Sequence, residues 1–309
     1  MAVPILEVTE LTIAFTQYER GLRQKRITAV RDLCLSIEAG ELVAVVGASG
    51  SGKSLLAHAI LGILPENAAV SGSIRYEGRE LTPSLLEKLR GREIALVPQS
   101  VDYLDPLMRV GKQVRTAVRQ GDPVRAQRSI FERYGLAPFV EKLFPFQLSG
   151  GMARRALVAT ATVGGPRLVV ADEPTPGLDD ASVREALGRL RELADDGCAV
   201  MLITHDIAAA LAVADKVAVL YAGTVVETAR SADFAGQGEA LRHPYSRALW
   251  RALPQNEFAA LPGLQPPASE GAAGCAFAPR CAAATPECAA ARPALRELRG
   301  GTVRCHHAT

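Results

Sequence analysis

The sequence predicts an α/β fold in which helices cover a parallel sheet. The first observation is an apolar run at residues 42–46 that leads into the glycine-rich string GASGSGKS at residues 47–54. Apolar residues then recur at helical spacing over residues 56–64, so the order is strand, loop, helix. The second observation is a pair of unbroken apolar runs, at residues 168–171 and 199–203. Strands without polar alternation are typical of parallel sheets that are buried on both faces.

The remaining elements follow in chain order. Residues 5–46 alternate apolar and polar positions in short runs, which predicts antiparallel strands before the glycine-rich string. Residues 70–81 predict another strand and turn, and residues 102–147 change to a charged helical pattern. A helix is predicted at residues 182–194, between the two apolar strands, and a closing hairpin at residues 217–227.

The glycine-rich string fits the phosphate-binding pattern G-x-x-x-x-G-K-[ST]. A strand, a loop and a helix in this order form an anion site, because backbone N–H groups and the helix N-terminus point at phosphate. We therefore expect a nucleoside triphosphate here, with Lys53 on its β- and γ-phosphates and Ser54 on Mg²⁺. The loop residues expected to bind ATP are Gly47, Ser49, Gly50, Ser51, Gly52, Lys53 and Ser54.

Five further strings follow in the order seen in one family. They are VPQS with Gln99, LSGGM at residues 148–152, LVVAD at residues 168–172 with Glu173 after it, PGLD at residues 176–179, and LITHD with His205. With the phosphate loop they resemble an ATP-binding-cassette (ABC) ATPase over nearly the whole chain. The resemblance implies a P-loop NTPase (RecA-like) parallel-sheet core with an antiparallel β-subdomain, a helical subdomain and a cysteine-containing C-terminal extension. The expected domains are 1–240 for the ATPase, with its helical subdomain at about 100–160, and 241–309 for the extension.

The resemblance also implies roles for single residues. Asp172 would hold Mg²⁺ together with Ser54 and Gln99, and Gln99 would sense the metal and the water. Glu173 would orient and deprotonate the attacking water, since Asp172 already fills the metal role. His205 would contact the γ-phosphate and sense its loss. Phe15 would stack on adenine, although an aromatic residue on an N-terminal strand is also typical of a core.

LSGGM places two glycines at the start of an apolar helix, which again makes an anion cradle. The resemblance implies that Ser149, Gly150 and Gly151 bind the ATP held by a second cassette, and that Asp179 lies at the same interface. The chain would then carry two half-sites. Met152 stands where the family commonly has Gln, a variant of its peptide and nickel importer branch.

Composition limits the class of protein. The 309 residues carry 35 basic and 33 acidic side chains, so a net charge of +2 predicts no nucleic-acid partner. The N-terminus lacks the basic region of a secretory signal, and no apolar stretch approaches the ~18 residues that a membrane span needs. We therefore expect a cytoplasmic chain whose membrane association comes through a partner.

Two regions point to one branch of the family, the oligopeptide/dipeptide/nickel importers. The resemblance implies the ATP-hydrolysing subunit of an importer for short peptides or a chelated metal such as nickel, on the cytoplasmic face of the cell membrane. Its partners would be two transmembrane permease subunits, a second ABC ATPase that is a paralogue rather than a copy, and indirectly an extracytoplasmic binding protein. The strings concerned are QSVDYLDPLMRVGKQV (99–114), HPYSRAL (243–249), PGLQPP (262–267), GCAFAPRC (274–281) and VRC (303–305).

Four of the six cysteines lie in the extension, at the spacing C-x5-C-x6-C-x16-C. Disulfides are uncommon in a cytoplasmic ATPase, and the C-x2-4-C pairs of structural zinc are absent from the sequence. Some members of the importer branch carry a [4Fe–4S] cluster at this place, so a cluster, zinc and free thiols all stay open. The residues concerned are Cys275, Cys281, Cys288 and Cys305.

Two other functions compete with import. A soluble ABC ATPase that acts on nucleic acid or ribosomes would usually show two cassettes, long coiled coils or zinc insertions, and this sequence has one cassette and no sustained heptads. An exporter ATPase would leave the C-terminal strings unexplained.

Overall fold

The computed structural model describes residues 3–18, 23–266 and 273–309, so Pro267, the last residue of PGLQPP, lies outside it. The strands are β1 (Leu6–Tyr18), β2 (Gln24–Ile37), β3 (Leu42–Gly47), β4 (Ala68–Tyr76), β5 (Arg79–Glu80), β6 (Ile94–Val97), β7 (Leu168–Asp172), β8 (Ala199–Thr204), β9 (Lys216–Tyr221), β10 (Thr224–Arg230), β11 (Arg296–Leu298) and β12 (Gly301–Val303). The helices are α1 (Lys53–Leu61), α2 (Pro83–Leu89), α3 (Val110–Ala117), α4 (Pro123–Arg133), α5 (Gly150–Thr162), α6 (Asp180–Asp195), α7 (Ile207–Leu211), α8 (Pro244–Arg251) and α9 (Pro286–Ala290).

The larger sheet has the order β11-β12-β10-β9-β3-β8-β7-β6, and its strands from β9 to β6 run parallel. Strands β3, β7 and β8 are buried along their whole length, as the unbroken apolar runs predict. The predicted parallel sheet and closing hairpin are therefore confirmed. Because the parallel strands end at one edge, the residues that follow β3, β7 and β8 meet there.

A second, antiparallel sheet has the order β2-β1-β4-β5, which confirms the predicted antiparallel subdomain. Its β1–β2 ladder is irregular, with register shifts between Val8 and Ala14. On β2, Asp32 has a φ of 42°, a left-handed conformation that is uncommon outside glycine. The irregular segment of β2 lies beside the turn between β9 and β10, since the Arg31 N–H donates to the Gly223 carbonyl at 2.8 Å.

Helices α3, α4 and α5 follow β6 and pack together, in the region where the sequence changes to a helical pattern. The buried Tyr134 hydroxyl is hydrogen-bonded to Thr162 Oγ1 at 3.0 Å, which joins the end of α4 to the end of α5. Arg154 of α5 is buried and donates to the Pro98 carbonyl at 3.0 Å. This bond connects the helix that begins within LSGGM to the residue before Gln99.

The C-terminal extension is part of the larger sheet, because β12 pairs with β10. A buried ion pair adds to this attachment: Arg242 Nη1 lies 3.2 Å from Glu227 Oε1, and both side chains are almost fully enclosed. Glu227 is also satisfied by the backbone N–H groups of Arg242 and His243, which offsets the cost of burying its charge. Sheet pairing and charge pairing thus attach the extension to the ATPase body, and neither has a local sequence signal.

An aromatic cluster extends the same attachment into the main core. Tyr221 of β9 packs against Tyr245 at 4.5 Å between ring centroids and against Phe277 at 5.3 Å. His243 begins α8, where its Nδ1 accepts the Tyr245 backbone N–H, and burial lowers the pKa of this imidazole to about 3. His243 is therefore neutral at physiological pH.

Across the described residues, none of the helices has the length and apolar character to cross a membrane.

Candidate nucleotide site

The phosphate loop is shaped by two glycines. A Cβ on Gly47 would lie 2.4 Å from the Leu220 carbonyl oxygen, so no side chain fits where the loop leaves β3. Gly52 has a φ of 99° and precedes α1, whose N-terminus has no side-chain cap. The first N–H groups of α1 are therefore left for a ligand, as an anion site requires.

Lys53 is the first residue of α1 and is buried. Its Nζ donates to the Gly47 carbonyl at 2.9 Å and to the Ala48 carbonyl at 3.2 Å. Burial lowers the pKa of Lys53, and the carboxylates of Glu173 and Asp172 oppose that shift. The ammonium group is thus held inside the loop by carbonyl oxygens, at the place where phosphate oxygens would lie.

One cavity brings seven of the predicted residues together. It also takes in four residues that the sequence analysis missed, Ile27, Thr28 and Ala29 of β2 and Leu55 of α1. The alternation of β2 predicted a strand but carried no signal for what lies opposite it. The predicted residues that line the cavity are Ser49, Gly50, Gly52, Lys53, Ser54, Gln99 and Glu173.

Asp172 ends β7 and does not itself line the cavity. Its Oδ1 accepts a hydrogen bond from Ser54 Oγ at 3.3 Å, across 118 residues of sequence. Burial raises the pKa of Asp172, and the bond from Ser54 acts in the opposite direction. Two oxygen donors side by side, one of them a carboxylate, are the ligand type that Mg²⁺ prefers.

Glu173 and His205 form a pair at the edge of the cavity. Glu173 Oε2 lies 2.8 Å from His205 Nδ1, and Glu173 is largely buried whereas His205 is 70% exposed. The φ of Glu173 is 47°, and its N–H donates to the Ile203 carbonyl of β8 at 2.9 Å. A glutamate held in the left-handed region costs free energy, and such strain is typical of sites where side-chain direction matters.

Five other predicted ATP-binding residues do not line this cavity. Phe15 packs on the core of the small sheet, where it pairs with Ile27 of the cavity wall. Ser149 caps α5 by accepting the Met152 N–H at 3.3 Å, with Gly150 and Gly151 following it. Asp179 caps α6, and its hydrogen bonds from Ser182 and Ala181 lower the pKa of its carboxyl. Gly151 lines a different pocket, together with Leu178 and Ser182.

The two remaining predicted loop residues do not line the cavity either: Gly47 ends β3, and Ser51 is fully buried. Ser51 Oγ has no hydrogen-bond partner within the described part of the chain.

The four cysteines of the extension line a single small pocket. His243, His306 and His307 line the same pocket, and Cys288 Sγ lies 3.4 Å from His307 Nε2. Burial raises the thiol pKa of Cys275 and Cys281. In the described ranges, no three His, Cys, Asp or Glu side chains are arranged to hold a metal ion.

Comparison with known proteins places this geometry in a family. Residues 30–176 match the model "ABC transporter", and residues 226–288 match "Oligopeptide/dipeptide transporter, C-terminal region". The Dipeptide transport ATP-binding protein DppD of Escherichia coli is 36% identical over 324 residues, covering 98% of this chain and 96% of that protein. The Oligopeptide transport ATP-binding protein OppD of Mycobacterium tuberculosis is 36% identical over 298 residues, covering 90% of this chain. The chain spans about half (47%) of the length of that OppD.

Solved structures agree. A bacterial ABC transporter cassette solved as a dimer superimposes with a TM-score of 0.64 at 26% identity, covering 73% of this chain and 98% of that one. A second structure, a cassette dimer in a post-hydrolysis state bound to ADP and Pi, gives a TM-score of 0.63 at 26% identity, with the same coverage. The chain belongs to the ABC transporter ATPases, in the branch that carries the oligopeptide/dipeptide transporter C-terminal region.

Proposed function

We propose that this chain binds and hydrolyses ATP as the nucleotide-binding subunit of a membrane importer for short peptides. One observation carries the proposal: a single cavity holds the phosphate-loop lysine, the Ser54 hydroxyl, Gln99 and a glutamate paired with a histidine. That set provides a cation for the phosphates, oxygen ligands for Mg²⁺ and a base for water, which are the parts that phosphoryl transfer to water needs. We assign the ATPase to residues 1–240, with its helical subdomain at about 100–160, and the extension to residues 241–309.

In this mechanism each group has one task. The N-terminus of α1 and Lys53 would bind the phosphates, while Ser54, Asp172 and Gln99 would hold Mg²⁺, which would neutralise the charge that develops on the phosphate oxygens. Glu173 takes the proton of the attacking water. His205 holds the Glu173 carboxylate in place through Nδ1 and contacts the γ-phosphate. Phe15 would contribute to the adenine site through its position beside Ile27.

A second cassette would complete the site. Gly150 and Gly151 begin α5, and a Cβ at either position would meet no atom within 4 Å. Glycine is therefore not required there by this chain's own packing, which supports a close approach by something outside the chain. We propose that this surface, with Asp179, binds the ATP of a partner cassette, a paralogue rather than a second copy.

Gly150→Ala is expected to leave the stability and ATP binding of the isolated chain unchanged or slightly improved, because alanine favours a helix by up to about 1 kcal/mol. In the assembled transporter it should slow ATP hydrolysis at least ~10-fold, since the added methyl group fills the cradle for the second ATP. Phosphate release by the reconstituted complex measures the effect. Gly188→Ala is the matched control, because Gly188 lies in α6 and also has open space around its Cα. Equal rates for the two variants would contradict the trans arrangement.

The names of the relatives support a proposal for the cargo and the partners. DppD and OppD are named for dipeptide and oligopeptide transport, so we propose a peptide cargo in preference to chelated nickel. The chain would attach to the cytoplasmic face of the membrane through two permease subunits, which an extracytoplasmic binding protein supplies with peptide.

The test of this proposal is a pull-down of the tagged chain from mildly solubilised native membranes, followed by mass spectrometry. Two multi-span permease subunits, with a second cassette ATPase, are the expected companions. Recovery of ribosomes or DNA-bound proteins instead would leave the ATPase standing and overturn the transport role. Uptake of labelled peptide and of nickel by cells with and without the chain then distinguishes the two cargoes.

We further propose that the extension holds a [4Fe–4S] cluster. The support is that four cysteines, spread over 31 residues (275 to 305), line one pocket. Such a cluster binds each thiolate to a different iron, so its ligands need not converge on one point as they must for zinc. The proposed role is structural: the cluster would help to clip the extension to the ATPase body.

Anaerobically purified chain is expected to be brown and to hold about four irons, because a [4Fe–4S] cluster takes one iron per thiolate ligand. Cys305→Ser should lose most of the iron, since Cys305 is one of the four pocket thiols. Cys34→Ser should keep it, because Cys34 lies on β2 outside the pocket. Colourless, iron-free protein from an anaerobic preparation would contradict the cluster, and zinc analysis of the same sample separates the two remaining alternatives.

A further inference from the structure

An arginine of the extension, Arg292, contacts both the small sheet and the start of β10. The Nη1 of Arg292 donates to the Asp32 carboxylate, and its Nη2 donates to the Arg31 carbonyl at 3.0 Å and to Thr224 Oγ1 at 2.8 Å. Arg304 supports the same point, because its Nη2 donates to the Asp32 carbonyl at 2.8 Å. One guanidinium group thus joins three elements that lie far apart in sequence.

One of the residues that Arg292 contacts, Arg31, is linked to the phosphate loop through Gly223. The Gly223 N–H donates to the Ser51 carbonyl at 3.1 Å, and the Gly223 carbonyl accepts the Arg31 N–H at 2.8 Å. Ala222 and Gly223 form a two-residue hairpin turn with φ values of 45° and 81°, so this turn has a defined shape. The hydrogen bonds therefore run without a break from the loop at Ser51, through Gly223 and Arg31, to Arg292.

Packing follows the same route. A Cβ on Gly52 would lie 3.0 Å from Val30 Cγ2 and 3.3 Å from the Ala29 carbonyl oxygen. Strand β2 therefore packs directly against the end of the phosphate loop. Ala29 also lines the cavity. A shift of β2 at Arg31 would therefore move both the wall of the cavity and the loop beneath it.

The ion pair by itself would matter little. The Asp32 side chain is 47% exposed, and pairs at such positions contribute little to stability. The Arg292 side chain is only 20% exposed, and two of its three acceptors are a backbone carbonyl and a buried threonine. The planar guanidinium can reach all three at once, which a lysine cannot do. Its geometry therefore suits a role in fixing the position of β2 and the turn.

We propose that Arg292 is a positioning residue, through which the C-terminal extension holds the phosphate loop in the conformation that binds ATP. This rests on the proposed function, since it assumes that ATP is the ligand. It gives the extension a part in the ATPase cycle: a change in the extension, such as loss of order around its cysteines, would reach the nucleotide site.

The experiment measures the Kd for a fluorescent ATP analogue with Mg²⁺, and the KM and kcat of hydrolysis, in the full chain. Arg292→Gln is expected to raise the Kd and the KM about 3- to 30-fold, the range typical of residues that couple two sites. The kcat at saturating ATP should fall less than the KM rises, because no bond of Arg292 reaches the reacting groups. Arg251→Gln is the control: it removes the same charge from the extension, where Arg251 pairs only with the exposed Glu257 in the described residues.

Equal Kd values for Arg292→Gln and Arg251→Gln would overturn the role of Arg292, whereas an unaltered chain that binds no ATP would contradict the proposed function itself. If Arg292→Gln does not fold, Arg292→Lys decides the question. It keeps the charge but cannot span the three acceptors, so an intermediate Kd supports the proposal and a Kd equal to that of Arg251→Gln overturns it.

Discussion

Glu173→Gln is expected to bind ATP normally and to hydrolyse it at least ~100-fold more slowly, which corresponds to about 2.7 kcal/mol of barrier. The reason is local. Glu173 lines the nucleotide cavity, and His205 and an uncommon backbone conformation hold its carboxylate in one direction. Glutamine has the same shape and can still accept a hydrogen bond from His205, but it cannot take a proton from water.

The measurement compares phosphate release with nucleotide binding in the same preparation. Glu257→Gln serves as the control because Glu257 is an exposed residue of the extension, far in sequence from the site. Turnover close to that of the control, with ATP binding retained, would contradict the assignment of Glu173 as the base. Loss of binding together with turnover would instead mean that the side chain holds the metal or the phosphates.

Lys53→Met is expected to weaken ATP binding at least ~100-fold, because the ammonium group makes charge-assisted hydrogen bonds that are stronger than neutral ones. The same change should not destabilise the nucleotide-free chain. Without nucleotide the charge of Lys53 is penalised by burial, which lowers its pKa, and methionine fills a similar volume without a charge.

Two readouts check this pair of expectations: the Kd for ATP with Mg²⁺ and the melting temperature without nucleotide. Lys88→Met is the control, since Lys88 is exposed in the last turn of α2. A large drop in melting temperature for Lys53→Met would mean that the lysine supports the loop through the Gly47 and Ala48 carbonyls, and the loss of binding could then be indirect.

The most predictable parts of this protein are those whose chemistry lies in one short stretch of chain. GASGSGKS combines the end of a strand, a loop and the start of a helix, so its phosphate site could be predicted without knowing any other part of the fold. The unbroken apolar runs of β7 and β8 have no polar alternation, and burial on both faces follows from that directly. The order of strings after the loop then identified the family.

Other parts depend on which residues meet across the fold. Ile27, Thr28 and Ala29 line the cavity only because the small sheet packs over the loop, and Phe15 lies beside them rather than in the cavity wall. The position of the extension could not be predicted from the sequence either. Its pairing with β10 and its buried Arg242–Glu227 ion pair leave no periodic pattern in the sequence.

The sequence by itself determined the fold class, the phosphate loop and the family. Each of these depends on residues that are close together in the chain, as an apolar run, a glycine-rich loop or a short string. The tertiary structure decided the pairs that join distant segments. Glu173 and His205 are 32 residues apart, and Arg292 and Asp32 are 260 apart. The physical reason is that a hydrogen bond between side chains requires an approach to about 3 Å, and the register and packing of whole sheets set that distance.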